Sequence, residues 1–293
     1  MTPLGTLPSR TYLFAPGNHP RKVEKCLTVG ADAVVLDLED AVANDQKVAT
    51  RDALIEALKQ PRPCRAYVRV NSFETPWCFD DLLSVVGPRL DGIVLPKTES
   101  AAQIIAVDWV LNQLERRHQL TEGSIDLMPI IETAKGLAQI NEICQAGTRV
   151  RRLAFGAGDL HLDLNLRWEP DERSLADTRA RLVLASRAAE LEPPIDTVVL
   201  QIKDHDRFEL SARNGLEMGF QGKLCIHPDQ VAPANRIFSP SKAEIAHARD
   251  VVAAFEAAEA EGSASIQLDG YFIDYPIVYK AQRILSLAER LED

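Results

Sequence analysis

Two apolar runs in this sequence stop on single carboxylates. Leu127-Met-Pro-Ile-Ile-Glu132 ends on Glu132, and Arg152-Leu-Ala-Phe-Gly-Ala-Gly-Asp159 ends on Asp159. Each run reads as a buried strand, and an acid at its end is costly to bury unless a charge sits beside it. At matching ends of neighbouring parallel strands the two would form a pair of hard oxygen ligands. Mg²⁺ suits such a pair, because it takes one or two carboxylates and keeps positions for water and substrate. The structural alternative is that each acid caps the helix that follows it. Gly156, Ala157 and Gly158 favour the ligand reading, since small residues leave room for close approach.

Other polar residues fall at comparable places. Asp37-Leu-Glu39-Asp40 sets three acids within four residues at the end of another apolar run. They read mainly as acceptors for water around the ion; the alternative is an acid-rich helix start. Arg69 lies inside Tyr67-Val-Arg-Val-Asn71. An arginine in a buried strand needs an anion, and its planar fork suits a carboxylate or a carbonyl gaining charge. An ion pair with Glu39 or a neighbouring acid is compatible with that role. Arg21, Lys22 and Lys25 form a basic cluster that reads either as a solvated helix face or as a phosphate anchor. His227 reads as structural.

These residues need a frame that gathers strand ends. Strand-like runs occur at Thr11–Ala15, Ala33–Asp37, Tyr67–Val70, Gly92–Pro96, Leu127–Glu132, Arg152–Asp159, Ile195–Gln201 and Lys223–Ile226, with helical patterns between most of them. Apolar strands alternating with helices predict a parallel sheet covered by helices. Eight such units in about 240 residues fit a closed (β/α)₈ barrel, with the polar strand ends on its C-terminal rim. A doubly wound open sheet is the alternative, but no Gly-rich dinucleotide fingerprint follows the first strand. The predicted barrel covers residues 1–240, and residues 241–293 form a C-terminal helical and hairpin extension. There Ser241-Lys-Ala-Glu244 is a capping box, Asp269-Gly270 a hairpin turn, and Pro276 a helix opener. Such a segment cannot build much of a core alone, so it is expected to pack on a barrel.

The 293 residues are 46% hydrophobic and 26% charged, an ordinary globular composition. A formal net charge of -10 and a pI near 5.2 argue against nucleic-acid or acidic-membrane binding. No apolar run reaches membrane-span length, and the five cysteines lack CxxC spacing. These features fit a reducing cytoplasm.

The motifs Leu13-Phe-Ala-Pro-Gly17, Leu36-Asp-Leu-Glu-Asp-Ala-Val42, Val68-Arg-Val-Asn71, Leu95-Pro-Lys97, Ile131-Glu132, Leu153-Ala-Phe-Gly-Ala-Gly-Asp159, Gly222-Lys-Leu-Cys-Ile-His-Pro228 and Phe238-Ser-Pro-Ser241 occur in that order. The chain resembles a CoA-ester lyase of the citrate lyase beta-subunit-like family, in the HpcH/HpaI aldolase superfamily, over essentially its whole length. The resemblance implies a TIM barrel, Mg²⁺ held by Glu132 and Asp159, and substrate bound by Arg69. It implies a homotrimer or hexamer in which the C-terminal segment covers a neighbour's site, with Asp274 as the residue that reaches across. It also implies that Phe14 and Lys25 help to hold CoA. Related malyl-CoA lyases carry an Arg after the first turn, where this chain has His19, so Arg21 or Lys22 would take over that anchor.

The expected activity is Mg²⁺-dependent carbon–carbon cleavage of a 3-hydroxyacyl-CoA, of malyl-, citramalyl- or citryl-thioester type, to an acyl-CoA and a 2-oxo acid. Arg69, Asp274 and Glu39 form the expected catalytic set. Arg69, Glu132, Phe14, Lys25 and Asp37 form the substrate-binding set. A pyruvate-type aldolase on free hydroxy-oxo acids and a non-catalytic barrel subunit are the alternatives.

Overall fold

The first strand, β1 (Thr11–Pro16), pairs in parallel with β2 (Ala33–Asp37), Tyr12 opposite Ala33 and Pro16 opposite Asp37. Pairing continues in chain order through β3 (Arg65–Arg69), β4 (Gly92–Leu95), β5 (Asp126–Ile131), β6 (Ala154–Phe155), β7 (Ile195–Asp196) and β8 (Gly222–Cys225). β8 then pairs with β1, Leu224 opposite Tyr12, and the sheet closes as the predicted eight-stranded barrel. This computed structural model describes residues 9–292. They fall into two compact units, one of Ser9–Asn235 and one beginning at Arg236, with the division inside α10 (Val231–Ile237).

Helices fill the connections: α1 (Pro20–Cys26), α2 (Lys47–Leu58), α3 (Cys78–Val85), α4 (Ala101–Arg117), α5 (Ala134–Ala138), α6 (Ile140–Cys144), α7 (Ala157–Asp163), α8 (Ala176–Ala188) and α9 (His205–Glu217). The α4 start is fixed by Ser100 and Gln103, which cap each other's backbone. Inside the barrel, Tyr12, Val35, Tyr67, Val94, Met128 and Ile130 pack together with no more than 2% of any surface exposed. They come from alternate strand positions, as the period of two requires. Gly92 makes room for this layer: a Cβ there would strike the Tyr67 ring.

The interior also holds charge. Tyr67 donates its hydroxyl to Asp126 at 2.8 Å, and Arg152 pairs with the same carboxylate. Between the sheet and helices α8 and α9, Asp196 accepts from Lys223 Nζ at 2.7 Å and from Arg179 Nε at 2.9 Å. Asp196 and Lys223 are fully buried. A buried charge requires such partners.

Several boundaries differ from expectation. β6 stops at Phe155, and the chain turns at Gly156 into α7, so Asp159 sits in the first turn of a helix rather than at a strand end. The N–H of Ala157 donates to Thr197 Oγ1 at 2.8 Å and secures that turn. An acid in the first turn is favoured by the partial positive charge of the helix start. β7 is likewise only Ile195–Asp196. Helix α3 occupies the β3–β4 connection, where the eight-unit pattern requires a helix. His161 is buried in α7 with its ring stacked 3.7 Å from that of Trp168.

The second unit contains α11 (Lys242–Ala260), a hairpin of β9 (Ile266–Leu268) and β10 (Tyr271–Ile273), and α12 (Tyr275–Glu292). Ser241 Oγ accepts from the Glu244 N–H at 3.2 Å, and Glu244 Oε2 accepts from the Ser241 N–H at 2.7 Å, the predicted capping box. Asp269 and Gly270 both have positive φ, as a two-residue hairpin turn requires. The segment does have a small core of its own. Ala248, Val251, Phe255, Ile273, Val278 and Ala281 are all buried against one another.

Candidate active site

Five strand-and-helix units deliver one aromatic and four charged side chains to one cavity of about 330 Å³ at the C-terminal rim of the barrel. Phe14 comes from β1, Asp37 from the end of β2, Arg69 from the end of β3, Glu132 from just beyond β5, and Asp159 from α7 after β6. The larger apolar groove between α3 and α4, about 720 Å³, is lined by groups such as Phe79, Ile105 and Trp109 and offers no acid or base. The rim cavity is the one in which buried acids and an arginine from several strands converge, which makes it the candidate site.

Asp37 lies at the base of the site, 1% exposed. It receives both prongs of Arg69, Nε at 2.7 Å and a terminal nitrogen at 2.6 Å, and the backbone N–H groups of Glu39 and Ala41 at 2.9 and 3.1 Å. Burial by itself would raise the Asp37 carboxyl. The charge and fork of Arg69 outweigh it and hold the group below the usual carboxylate range. The other terminal nitrogen of Arg69 lies 3.0 Å from Glu39 Oε2, and the guanidinium covers the Phe14 ring at 5.0 Å from its centre. Arg69 thus meets two acids and an aromatic face before any ligand arrives.

Glu132 follows directly on β5. It is buried, and Oε1 accepts the N–H of Lys97 at 2.7 Å. Burial first, then the charge of Asp159, push its pKa well above the usual carboxylate value, with Arg69 opposing. Oε2 lies over Gly156: a Cβ there would fall on that oxygen and within 2.6 Å of the Glu132 Cβ. Among the described residues no group of three His, Cys, Asp or Glu side chains could cage a metal ion. Glu132 and Asp159 instead offer two hard oxygen donors, the number that suits Mg²⁺ with water and substrate in its remaining positions. A shared divalent cation would also relieve the repulsion between them.

Lys97 is the residue that sequence reasoning passed over as a site group. It follows β4 with a left-handed backbone, φ +47°. Its ammonium pairs with Glu39 and lies 3.4 Å from both Asp40 and Asp159. The available signal was Leu95-Pro-Lys97, a lysine directly after a fully buried strand. Glu39, 5% exposed, is taken up by Arg69 and Lys97 and does not line the cavity. Burial raises its carboxyl, with Arg69 and Lys97 pulling the other way.

The remaining expected residues lie outside this cavity or in the other unit. Lys25 is exposed in the last turn of α1, as are Arg21 and Lys22 in its first, and none lines the cavity. His227 caps the turn after β8, its Nδ1 accepting from the Asp229 N–H at 3.3 Å, a structural role. Asp274 belongs to the second unit. Its backbone carbonyl accepts from the N–H groups of Ile277 and Val278 at the start of α12, each at 3.1 Å.

Residues 10–228 match the family model of HpcH/HpaI aldolase/citrate lyase. The chain is 34% identical to the citrate lyase subunit beta of Leuconostoc mesenteroides subsp. cremoris, covering 95% of this chain and 93% of that one. It is 36% identical to a (3S)-malyl-CoA thioesterase of Cereibacter sphaeroides, covering 97% and 96%. The fold superposes on the crystal structure of CitE from Mycobacterium tuberculosis, in complex with magnesium, acetoacetate and coenzyme A, with a TM-score of 0.80 at 30% identity, over 97% of this chain and 99% of that one. With its closed barrel and its acids and arginine gathered on one rim, the chain belongs to the HpcH/HpaI aldolase/citrate lyase family and is an enzyme of that lyase and aldolase class.

Proposed function

We propose that the chain is a Mg²⁺-dependent lyase that cleaves a 3-hydroxyacyl-CoA of malyl-, citramalyl- or citryl-thioester type to an acyl-CoA, such as acetyl-CoA, and a 2-oxo acid. The observation that carries the reading is the Glu132–Asp159 pair facing Arg69 in one rim cavity of this family's barrel.

Glu132 and Asp159 would hold the ion, which supplies Lewis acidity to the oxygens of the hydroxy acid and its carboxylate. Asp37 and Glu39 orient the Arg69 guanidinium, so that its charge is already in place when negative charge develops on the substrate. Phe14 backs the same guanidinium and shields that side of the cavity from water. The bond between the hydroxyl-bearing carbon and the α-carbon of the thioester breaks, and its electron pair passes into the thioester as an enolate. The hydroxyl passes its proton to the Asp274 carboxylate, acting as general base, and its oxygen becomes the carbonyl of the 2-oxo acid. Asp274 then gives a proton to the enolate carbon as general acid. We place that acid in the site of a neighbouring subunit of a trimer or hexamer. The carboxylate is half-buried, and the helix that Asp274 opens uses its backbone carbonyl. Arg21, Lys22 and Lys25 would hold the phosphates of CoA at the rim.

A panel of hydroxyacyl-CoA esters, assayed with and without Mg²⁺, tests the reading. The expected products are acyl-CoA and 2-oxo acid in equal amounts, formed only with the ion. The likeness to a malyl-CoA thioesterase favours one second reading, hydrolysis of the thioester. Free CoA and intact hydroxy acid would establish that reading instead.

A further inference from the structure

Lys97 touches both acids of the proposed ion pair, in opposite senses. Its backbone N–H donates to Glu132 Oε1 at 2.7 Å and supports that carboxylate whether or not the lysine is charged. Its ammonium, anchored on Glu39, lies 3.4 Å from Oδ2 of Asp159 and 3.4 Å from Oδ2 of Asp40. The side chain is 31% exposed, so these attractions are only partly screened by water. The backbone conformation, φ +47°, is uncommon for a lysine and persists only where the surroundings enforce it.

Two cations cannot share one carboxylate without repulsion. Resting on the reading of Glu132 and Asp159 as the ion-binding pair, we propose that Lys97 is the counter-ion of Asp159 and competes with the divalent cation for that carboxylate. Entry of the ion requires the ammonium to draw back onto Glu39 and Asp40. The enzyme therefore binds its metal more weakly than the buried Glu132 and the part-exposed Asp159 alone would. An anionic substrate entering the cavity offsets the repulsion, so the ion is held more firmly with substrate than without it. Lys97 is a positioning residue in this scheme and touches no reacting atom.

The experiment is calorimetric titration of Mg²⁺ into the intact, substrate-free enzyme at low salt. Lys97→Met removes the charge and keeps the length. It is expected to tighten Mg²⁺ binding by about tenfold, equivalent to about 1.4 kcal/mol. Lys97→Arg keeps the charge and is expected to stay near wild type. Lys97→Asn removes the charge with a residue that tolerates the left-handed backbone, and serves if the methionine variant does not fold. Loss of a purely structural prop would loosen the site and weaken binding, so tightening separates the two roles. Unchanged or weaker binding in the charge-removed variants overturns the proposal. If the wild-type protein takes up no Mg²⁺, the ion-binding reading of Glu132 and Asp159 fails, and the inference falls with it.

Discussion

Arg69 meets Asp37 with a two-pronged contact, Nε to Oδ1 at 2.7 Å and a terminal nitrogen to Oδ2 at 2.6 Å, while its other terminal nitrogen is 3.0 Å from Glu39. A lysine cannot reproduce this geometry, because it offers a point charge in place of a planar fork. Arg69→Lys is therefore expected to lower kcat by about 10² or more, the effect of losing a preorganised donor. Steady-state kinetics beside a melting curve check this. A lowered melting temperature with unchanged kcat would make the arginine structural.

Gly156 is expected to be intolerant of even one methyl group. Its backbone is in a region open to alanine, φ -109°, so the obstacle is side-chain contact, first with Glu132 and then with the Ile130 methyl at 2.9 Å. Gly156→Ala should fold, displace the Glu132 carboxylate and weaken Mg²⁺ binding, as Glu132→Gln and Asp159→Asn should. Calorimetry with Mg²⁺ decides, and full affinity in all three variants would remove these residues from the ion site.

Asp274 is expected to act across a subunit boundary. Asp274→Ala and Glu132→Ala subunits should each be inactive alone and regain partial activity when co-assembled, because some sites then combine both intact acids. Mixed oligomers that form and stay inactive would return Asp274 to its own subunit or to no role.

The exposed bases of α1 give a salt-dependent prediction. If Arg21, Lys22 and Lys25 hold phosphates, KM for a CoA ester should rise with ionic strength, since exposed contacts are screened. Substituting all three by Gln should raise KM and flatten that dependence while sparing kcat. Equal turnover of CoA esters and the matching free acids would favour the small-acid aldolase.

The buried Asp196–Lys223–Arg179 cluster predicts how stability varies with pH. Burial would raise the Asp196 carboxyl, but the charges of Lys223 and Arg179 prevail and hold it below its ordinary value of 3.8. Its contribution to stability is therefore complete above about pH 3.8 and is lost as pH falls through the lower folded value. Asp196→Asn leaves two buried cations under-compensated and should cost about 3–5 kcal/mol near neutral pH. Denaturant titrations of wild type and variant should differ by that much at pH 7 and converge in strong acid.

Much of the architecture was written in local pattern. The apolar runs from Thr11 to Cys225 give the strands in their barrel order, because a parallel strand buried on both faces must be apolar throughout. Local chemistry also marked the Ser241 capping box, the Asp269-Gly270 turn and the chemical promise of Arg69, Glu132 and Asp159. The boundary at Asp159 was not legible, because Gly156-Ala-Gly158 allows either an extended run or a helix start, and contact with Thr197 settles it. Nor was the pairing of charges. Lys97 lies far along the chain from Glu39, and Asp196 from Arg179 and Lys223; each set meets only when strands and helices pack together. Periodicity specifies which face of an element is apolar. It does not specify which polar groups will lie opposite one another, and a charge becomes costly enough to need a particular partner only after the barrel has closed and excluded water.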